Sequence, residues 1–302
     1  MLLDTASLYF RAFHGVPTTL TAPDGTPVNA VRGFLDMLAR LVEDRRPGRL
    51  VCCLDADWRP PFRVEALPGY KAHRVAGPSG AEDVPPTLLP QVPMLLAVLD
   101  AVGLPMVGAA GYEADDVIAT LALREPGPTD VVTGDRDLLA LVDDERQVRV
   151  IYLGRGMSRR EVLDEAQVHR RYGVGPAQYT DLAILRGDPS DGLPGVPGIG
   201  EKTAAGLLER WGSLTRLLSA VQDDRTDLSR RDALAGSLNY LQAASAVIPM
   251  RTEVPLPAGL DTTLPHEVVH PARLVGLSSR WGLDGPLNRL AAALRAAQPS
   301  VS

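Results

Sequence analysis

Cysteine is nearly absent from this chain: its 302 residues include two, Cys52 and Cys53, side by side in an apolar run. Neighbours on a strand point to opposite faces, so the two are badly placed to bridge each other. A disulfide-stapled secreted fold is thereby excluded, and a reducing, cytoplasmic setting is expected. Long apolar runs are missing too. None reaches the roughly 18 residues that a membrane span needs, so no membrane partner is expected. The N-terminus lacks a basic segment and carries Asp4 where a signal peptide would be apolar. Zinc ligation has little to draw on, because the five His are scattered and the Cys pair has the wrong spacing. Positive charge is also short. The net charge is −6 and the pI about 5.4, which taken alone argues against a nucleic-acid partner. That objection weakens if many of the carboxylates hold divalent cations, for then the distribution of charge matters more than its sum.

What the sequence does have is alternation. Short apolar runs alternate with helical patterns through the first half, which is the signature of an α/β fold with a mostly parallel central sheet flanked by helices. Strands are expected at 2–3, 50–54, 105–107, 130–133 and 148–153, and helices at 28–44, 91–102 and from Glu113 to about Leu123. Val31, Phe34, Leu35, Leu38 and Leu41 form one stripe of the 28–44 helix. A further helix is expected to begin at Leu138. Residues 62–90 are polar, basic and rich in Gly and Pro, and read as a mobile insertion. From about Val162 the pattern is helical, with helices expected at 163–171, 176–186, 202–210, 214–221, 230–246 and 286–297, and fraying at 298–302. The organisation expected is an α/β core over 1–161 and a helical region over 162–302.

The carboxylates fall where such sheets do chemistry. Sites in open α/β sheets lie beyond the carboxyl ends of the strands. Asp4, Asp55 and Asp135 each follow a predicted strand, with Asp137 close behind, and Glu113, Asp115 and Asp116 open a helix. Asp after a strand is often only a cap, and the Glu-Ala-Asp-Asp run alone would read as a solvated helix start. Converging together, with little Lys or Arg interleaved, they would repel strongly unless cations bind among them. Oxygen donors of this kind suit Mg²⁺ or Mn²⁺.

Specific stretches go further. LLDTASLYFRAFHG (2–15), PFRVEALPGYKAHR (61–74), GYEADD (111–116), TGDRDLLALV (133–142) and LRGDPSDGLPGVPGIGEKTA (185–204) resemble the 5′-3′ exonuclease and flap-endonuclease family, which includes the N-terminal domain of bacterial DNA polymerase I. The resemblance runs over about 2–250 in the family's motif order, and no polymerase follows, so a stand-alone form is expected. It implies a two-metal 5′ nuclease that cuts DNA at flaps, nicks or free 5′ ends during replication and repair. Asp4, Asp55, Glu113 and Asp115 would hold the first ion, with Asp116 bound directly or through water. Asp135, Asp137, Asp188 and Asp191 would hold or surround the second. The 62–90 insertion would be an arch or gateway, with Arg63, Lys71 and Arg74 on phosphates near the cut and Tyr70 stacked on a terminal base. Residues 176–210 would form a helix–three-turn–helix element, in which Gly198, Gly200 and Lys202 grip duplex backbone and main-chain carbonyls can hold K⁺.

Three positions depart from the family pattern. Gly192 stands for the usual Asn after the second acidic residue, Thr5 for the usual Gly after the first Asp, and Arg136 for the usual Lys between paired Asp residues. None of these removes an implied ligand. The strand before Asp4 is short, which leaves room for a native start upstream. The expected partner is DNA with a 5′ flap, nick or 5′ end, bound by a monomer associated with the nucleoid, and RNA–DNA hybrid is a secondary substrate. The alternative is a structure-specific DNA-binding protein with weak or lost nuclease activity. A compact single-domain ribonuclease fits less well, since it would lack the GVPGIG element.

Overall fold

The computed structural model describes residues 1–77, 80–223 and 227–297. Strand β1 (Leu2–Asp4) runs directly into helix α1 (Thr5–Gly15), because the Asp4 carboxylate accepts from the Ser7 amide and caps the helix at 3.1 Å. Helix α2 (Asn29–Arg45) follows the predicted stripe, with Val31, Phe34, Leu35, Leu38 and Leu41 all buried. Then come strand β2 (Val51–Cys53) and a short helix α3 (Pro61–Ala66). A small antiparallel hairpin follows, made of β3 (Val75–Ala76) and β4 (Ala81–Glu82). Helix α4 (Gln91–Val102), strand β5 (Met106–Val107), helix α5 (Ala114–Arg124), and strands β6 (Thr129–Thr133) and β7 (Val148–Tyr152) complete the alternating half.

The sheet has the order β5-β2-β1-β6-β7, and its last neighbour is β8 (Glu161–Leu163). All pairings are parallel except β7 with β8. The period-two rule assigns its residues to opposite faces. Leu3, Cys52, Val132 and Ile151 enter one apolar cluster, while Leu2, Cys53, Val131 and Val150 enter the other. Cys52 and Cys53 therefore lie in different clusters, and both are free.

The helical half begins with α6 (Glu165–Tyr172), capped reciprocally by Asp164 and Gln167, and continues through α7 (Tyr179–Arg186), α8 (Glu201–Trp211) and α9 (Leu214–Gln222). The single helix expected over 230–246 is two, α10 (Arg231–Gly236) and α11 (Leu238–Val247), interrupted at Ser237. Gly236 and Ser237 are weak helix formers, and they sit at that break. Helix α12 (Pro271–Trp281) was not expected, and α13 (Asp284–Ala296) was. Both pack back on the first half: Leu274, Leu287, Leu290 and Leu294 share an apolar cluster with α2 and α4. The expected fraying at 298–302 lies outside the described residues. Among the described residues, no helix is long and apolar enough to cross a membrane.

Three further expectations are corrected. Residues 137–141 form a 3-10 turn rather than an α-helix starting at Leu138. The 163–171 helix is shorter, because Glu161–Leu163 pairs as an edge strand before Asp164 opens the helix. Residues 62–90 are not irregular throughout, since they hold α3, a 3-10 turn at Ala72–Arg74 and the β3–β4 hairpin.

Candidate active site

A cavity of ≈ 1220 Å³ opens at the carboxyl edge of the sheet, lined by Asp4, Asp55, Glu113, Asp115, Asp135 and Asp188 among others. Each acid arrives by a different route. Asp4 ends β1 and is held from the other side by the Thr133 hydroxyl at 2.6 Å. Asp55 follows β2 and accepts from the Ala114 amide at 2.8 Å, so it also sits at the start of α5. Glu113 is the N-cap of α5. Asp135 follows β6 and accepts from the Asp137 amide at 3.0 Å. Asp188 accepts from the Ser190 amide at 2.9 Å and lies 3.4 Å from Arg186 Nη2.

Crowding and burial set the charge state. Burial raises Asp4 to about 7, against the Thr133 hydrogen bond and with Asp55 adding repulsion. Burial, then the like charges of Asp4 and Asp135, raises Asp115 well above the ordinary carboxylate range. Asp137 is raised in the same way by burial, Asp135 and Asp191, and Asp191 rises to about 6 through burial despite Lys71. Lys71 moves the other way. Burial pulls its ammonium down, but Tyr70, Glu113 and Asp191 more than reverse this and hold it charged.

The gateway base rests on this cluster. Lys71 Nζ contacts Glu113 Oε1 and lies 3.9 Å from Asp191 Oδ1. Its backbone amide donates to the Asp191 carbonyl at 2.9 Å. Gly192, where the family has Asn, makes this fit possible. Its φ is +72°, and a Cβ there would stand 2.4 Å from the Gly69 carbonyl oxygen.

Three of the residues assigned to phosphate, base or metal are turned to other work. Arg63 is 2% exposed. Its guanidinium pairs with Glu113, with both oxygens of Asp116 at 2.7 and 3.0 Å, and with the Val247 carbonyl at 2.9 Å. It has no face left for a phosphate. Asp116 is fully buried, and besides Arg63 it accepts from the Glu113 and Arg251 amides at 3.2 and 2.7 Å. That leaves it no lone pair directed at the cavity. Tyr70 is 3% exposed and donates to Glu113 Oε2 at 2.7 Å, so its ring is not available for stacking. Arg74, in contrast, lines the cavity.

The acids do not close into a ready cage: among the described residues, no three of His, Cys, Asp and Glu stand close enough to hold an ion as placed. Glu113 is instead taken up by Arg63, Tyr70 and Lys71. The donor set is still all oxygen, and its repulsion is relieved only in part by Lys71, which fits a hard divalent cation.

Gly198 and Gly200 lie away from the cavity on an exposed turn, Gly198 with φ +75° and Gly200 as the N-cap of α8, with Lys202 exposed at the second position of that helix. Sequence reasoning passed over three residues of the site, of which Arg11 and Trp58 line the cavity. Thr133 orients Asp4. Arg11 lines the cavity with Nη1 on the Gly154 carbonyl at 2.9 Å, and its Nε is buried without a partner. Trp58 lines the cavity three residues past Asp55. Of these, Arg11 had a signal, since it lies one turn along α1 from Ser7 and two turns from the cap Asp4.

Comparison with known proteins agrees with this arrangement. The model of the 5'-3' exonuclease N-terminal resolvase-like domain matches residues 1–173, and that of the 5'-3' exonuclease C-terminal SAM fold matches 174–270. The chain is 57% identical to a 5'-3' exonuclease of Streptomyces coelicolor, over 98% of this chain and 100% of that one. It is 41% identical to the DNA polymerase I of Mycobacterium leprae over 87% of this chain and 28% of that one. Among solved structures, the T5 5'-exonuclease with bound zinc superposes with a TM-score of 0.64 at 18% identity, covering 99% of both chains. The catalytic core of Rad2 in complex with DNA superposes at 0.62 and 16% identity, covering 98% of this chain and 92% of that one. An acidic cleft at the carboxyl edge of a mainly parallel sheet, backed by a helical half, thus defines a nuclease, a hydrolase of phosphodiester bonds. The chain belongs to the 5'-3' exonuclease family.

Proposed function

We propose that the chain cuts DNA at 5′ flaps, nicks or free 5′ ends with the help of two divalent cations, Mg²⁺ or Mn²⁺. The observation that carries this reading is the convergence of Asp4, Asp55, Glu113, Asp115, Asp135 and Asp188 on one cavity beside a charged Lys71. Asp4, Asp55, Glu113 and Asp115 would hold one ion, and Asp135, Asp137, Asp188 and Asp191 the other. The ions would supply an activated water and charge stabilisation for in-line attack on phosphorus.

The chain's own groups do the rest. Lys71, paired here with Glu113, would be free to serve the scissile phosphate, where charge builds up, if Glu113 held an ion. Arg74 and Arg11, both on the cavity wall, take neighbouring phosphates. Arg63 and Asp116 hold the gateway base and the start of α5 in register. The turn at Gly198–Gly200, with Lys202, grips duplex backbone through amides and charge without reading sequence. K⁺ on that turn's carbonyls belongs to the same proposal, as does cleavage of RNA in RNA–DNA hybrids. The helical region over 162–302 supplies the duplex grip, although α12 and α13 pack on the first half.

The test is one flap substrate, labelled in turn at its 5′ and 3′ ends, with each metal and with chelator. Short 5′-labelled products that require Mg²⁺ or Mn²⁺ are expected. Binding without metal-dependent product would favour the DNA-binding alternative, and equal cleavage in chelator would overturn the metal reading.

A further inference from the structure

Trp58 is a large apolar side chain standing half-exposed on the wall of a cavity crowded with charge. Core packing does not explain it, because it belongs to none of the apolar clusters. Among the described residues, no ring and no cation stacks on it. Its two chain neighbours are nevertheless tethered. Before it, the Asp57 amide donates to the Tyr112 carbonyl at 3.2 Å, and the Asp57 carboxylate accepts from the Gly111 amide. After it, the Arg59 guanidinium donates through Nε to the Tyr70 carbonyl at 2.6 Å and through Nη2 to the Pro68 carbonyl at 2.9 Å. These partners are the segments that lead into Glu113 and Lys71. The loop bearing Trp58 is therefore tied through Asp57 to the segment before Glu113 and through Arg59 to the segment before Lys71.

An unpartnered indole on a tethered loop, beside groups suited to phosphate, fits one chemistry. We propose that Trp58 is a stacking platform for an unpaired nucleobase of the 5′ strand as it enters the cavity. The proposal rests on the 5′ nuclease reading above and names what receives the base there. Tyr70, the aromatic residue that the family resemblance offered for this task, is buried under Glu113 and leaves the place open. Stacking uses the π-face that all four bases share, so the platform holds the strand without choosing its sequence.

The experiment is a double-mutant cycle between protein and DNA. Wild type, Trp58→Ala and Trp58→Phe are compared on a flap substrate in which one abasic residue is stepped through the nucleotides nearest the junction. Equilibrium binding is read in chelator and single-turnover cleavage with Mn²⁺. Trp58→Ala should weaken flap binding roughly ten-fold, about 1.4 kcal/mol, and leave binding of blunt duplex unchanged. At one position, the abasic residue should weaken wild type by a similar factor and Trp58→Ala no further. Trp58→Phe should recover most of the loss and so separate stacking from loop collapse. Equal abasic penalties in wild type and Trp58→Ala at every position overturn the platform, as does a Phe variant as poor as Ala. Failure of wild type to cut any 5′ substrate would remove the nuclease reading and the platform with it. Normal cleavage with independent penalties removes the platform alone.

Discussion

The gateway base and the start of α8 both set cations next to carboxylates, yet they carry their charge in opposite ways. At the gateway, Arg63 and Lys71 are drawn into the protein and matched against Glu113, Asp116 and Asp191. At the start of α8, Lys202 stands in solvent. A buried cation with its hydrogen bonds filled fixes geometry, because any movement would strand charge in a poor dielectric. An exposed one can only attract, and salt screens it. On the proposed function, the contrast would separate cations held in the cleft from those that attract DNA to it.

Arg63→Met is the most damaging way to break the contrast. It leaves Glu113 and Asp116 buried without their guanidinium, and a broken buried pair costs about 3–5 kcal/mol. The expected result is a large fall in the denaturant midpoint. A melt unchanged from wild type would mean that Arg63 is not structural and would reopen its role at phosphate.

Next in size is the acid cluster's own pH dependence. Asp4 and Asp191 have folded values of about 7 and about 6, above the ordinary carboxylate value. Protonation therefore favours the folded chain. This stabilisation is complete below about pH 4 and is lost as pH rises through 6 and 7. Metal-free protein should be less stable at pH 8 than at pH 5, and Mn²⁺ should close most of that gap. Chemical denaturation at the two pH values, with and without metal, checks this. A metal-free protein that gains stability over the interval would show that Lys71 and Arg63 already neutralise the acids.

The mildest effects distinguish the two lysines. Lys71→Ala should slow saturated single-turnover cleavage about 10²-fold, the scale for one donor to developing charge. Lys202→Ala should leave that step alone, weaken binding a few-fold for any sequence and lower the salt slope by about one contact. A slowed saturated step in Lys202→Ala, with a change only in binding for Lys71→Ala, would exchange their roles.

Much of the acid arrangement was legible because it depends on local facts. A strand that stops at Asp, or a helix that opens on Glu, puts the carboxylate at the carboxyl edge whatever else the fold does. The Arg63–Asp116 pair was not legible, since it joins residues 53 apart in sequence through burial that no local pattern records. Helix α1 was hidden because Asp4 ends a strand and caps a helix at once, so no turn residues separate the two. The split at Ser237 and the edge strand at Glu161–Leu163 are each decided within a few residues, where periodicity has too little length to register. Arg63 and Tyr70 show the limit of resemblance as a guide: it found the segment that matters and misjudged which side chains in it face the cavity.

Helix α13 has a temporal consequence. Arg289 pairs with Asp36 at 2.6 Å, and Leu287, Leu290 and Leu294 cover the apolar flank of α2. During synthesis, α2 emerges some 250 residues earlier than the helix that shields it. At ribosomal speeds of about 5–20 residues per second, that flank waits on the order of ten seconds or more for its cover. The nascent chain spends this interval with a sticky surface, and contacts of such long sequence separation also make folding slow. Truncation before residue 284 would make the interval permanent, leaving a chain with every acid in place and a tendency to aggregate.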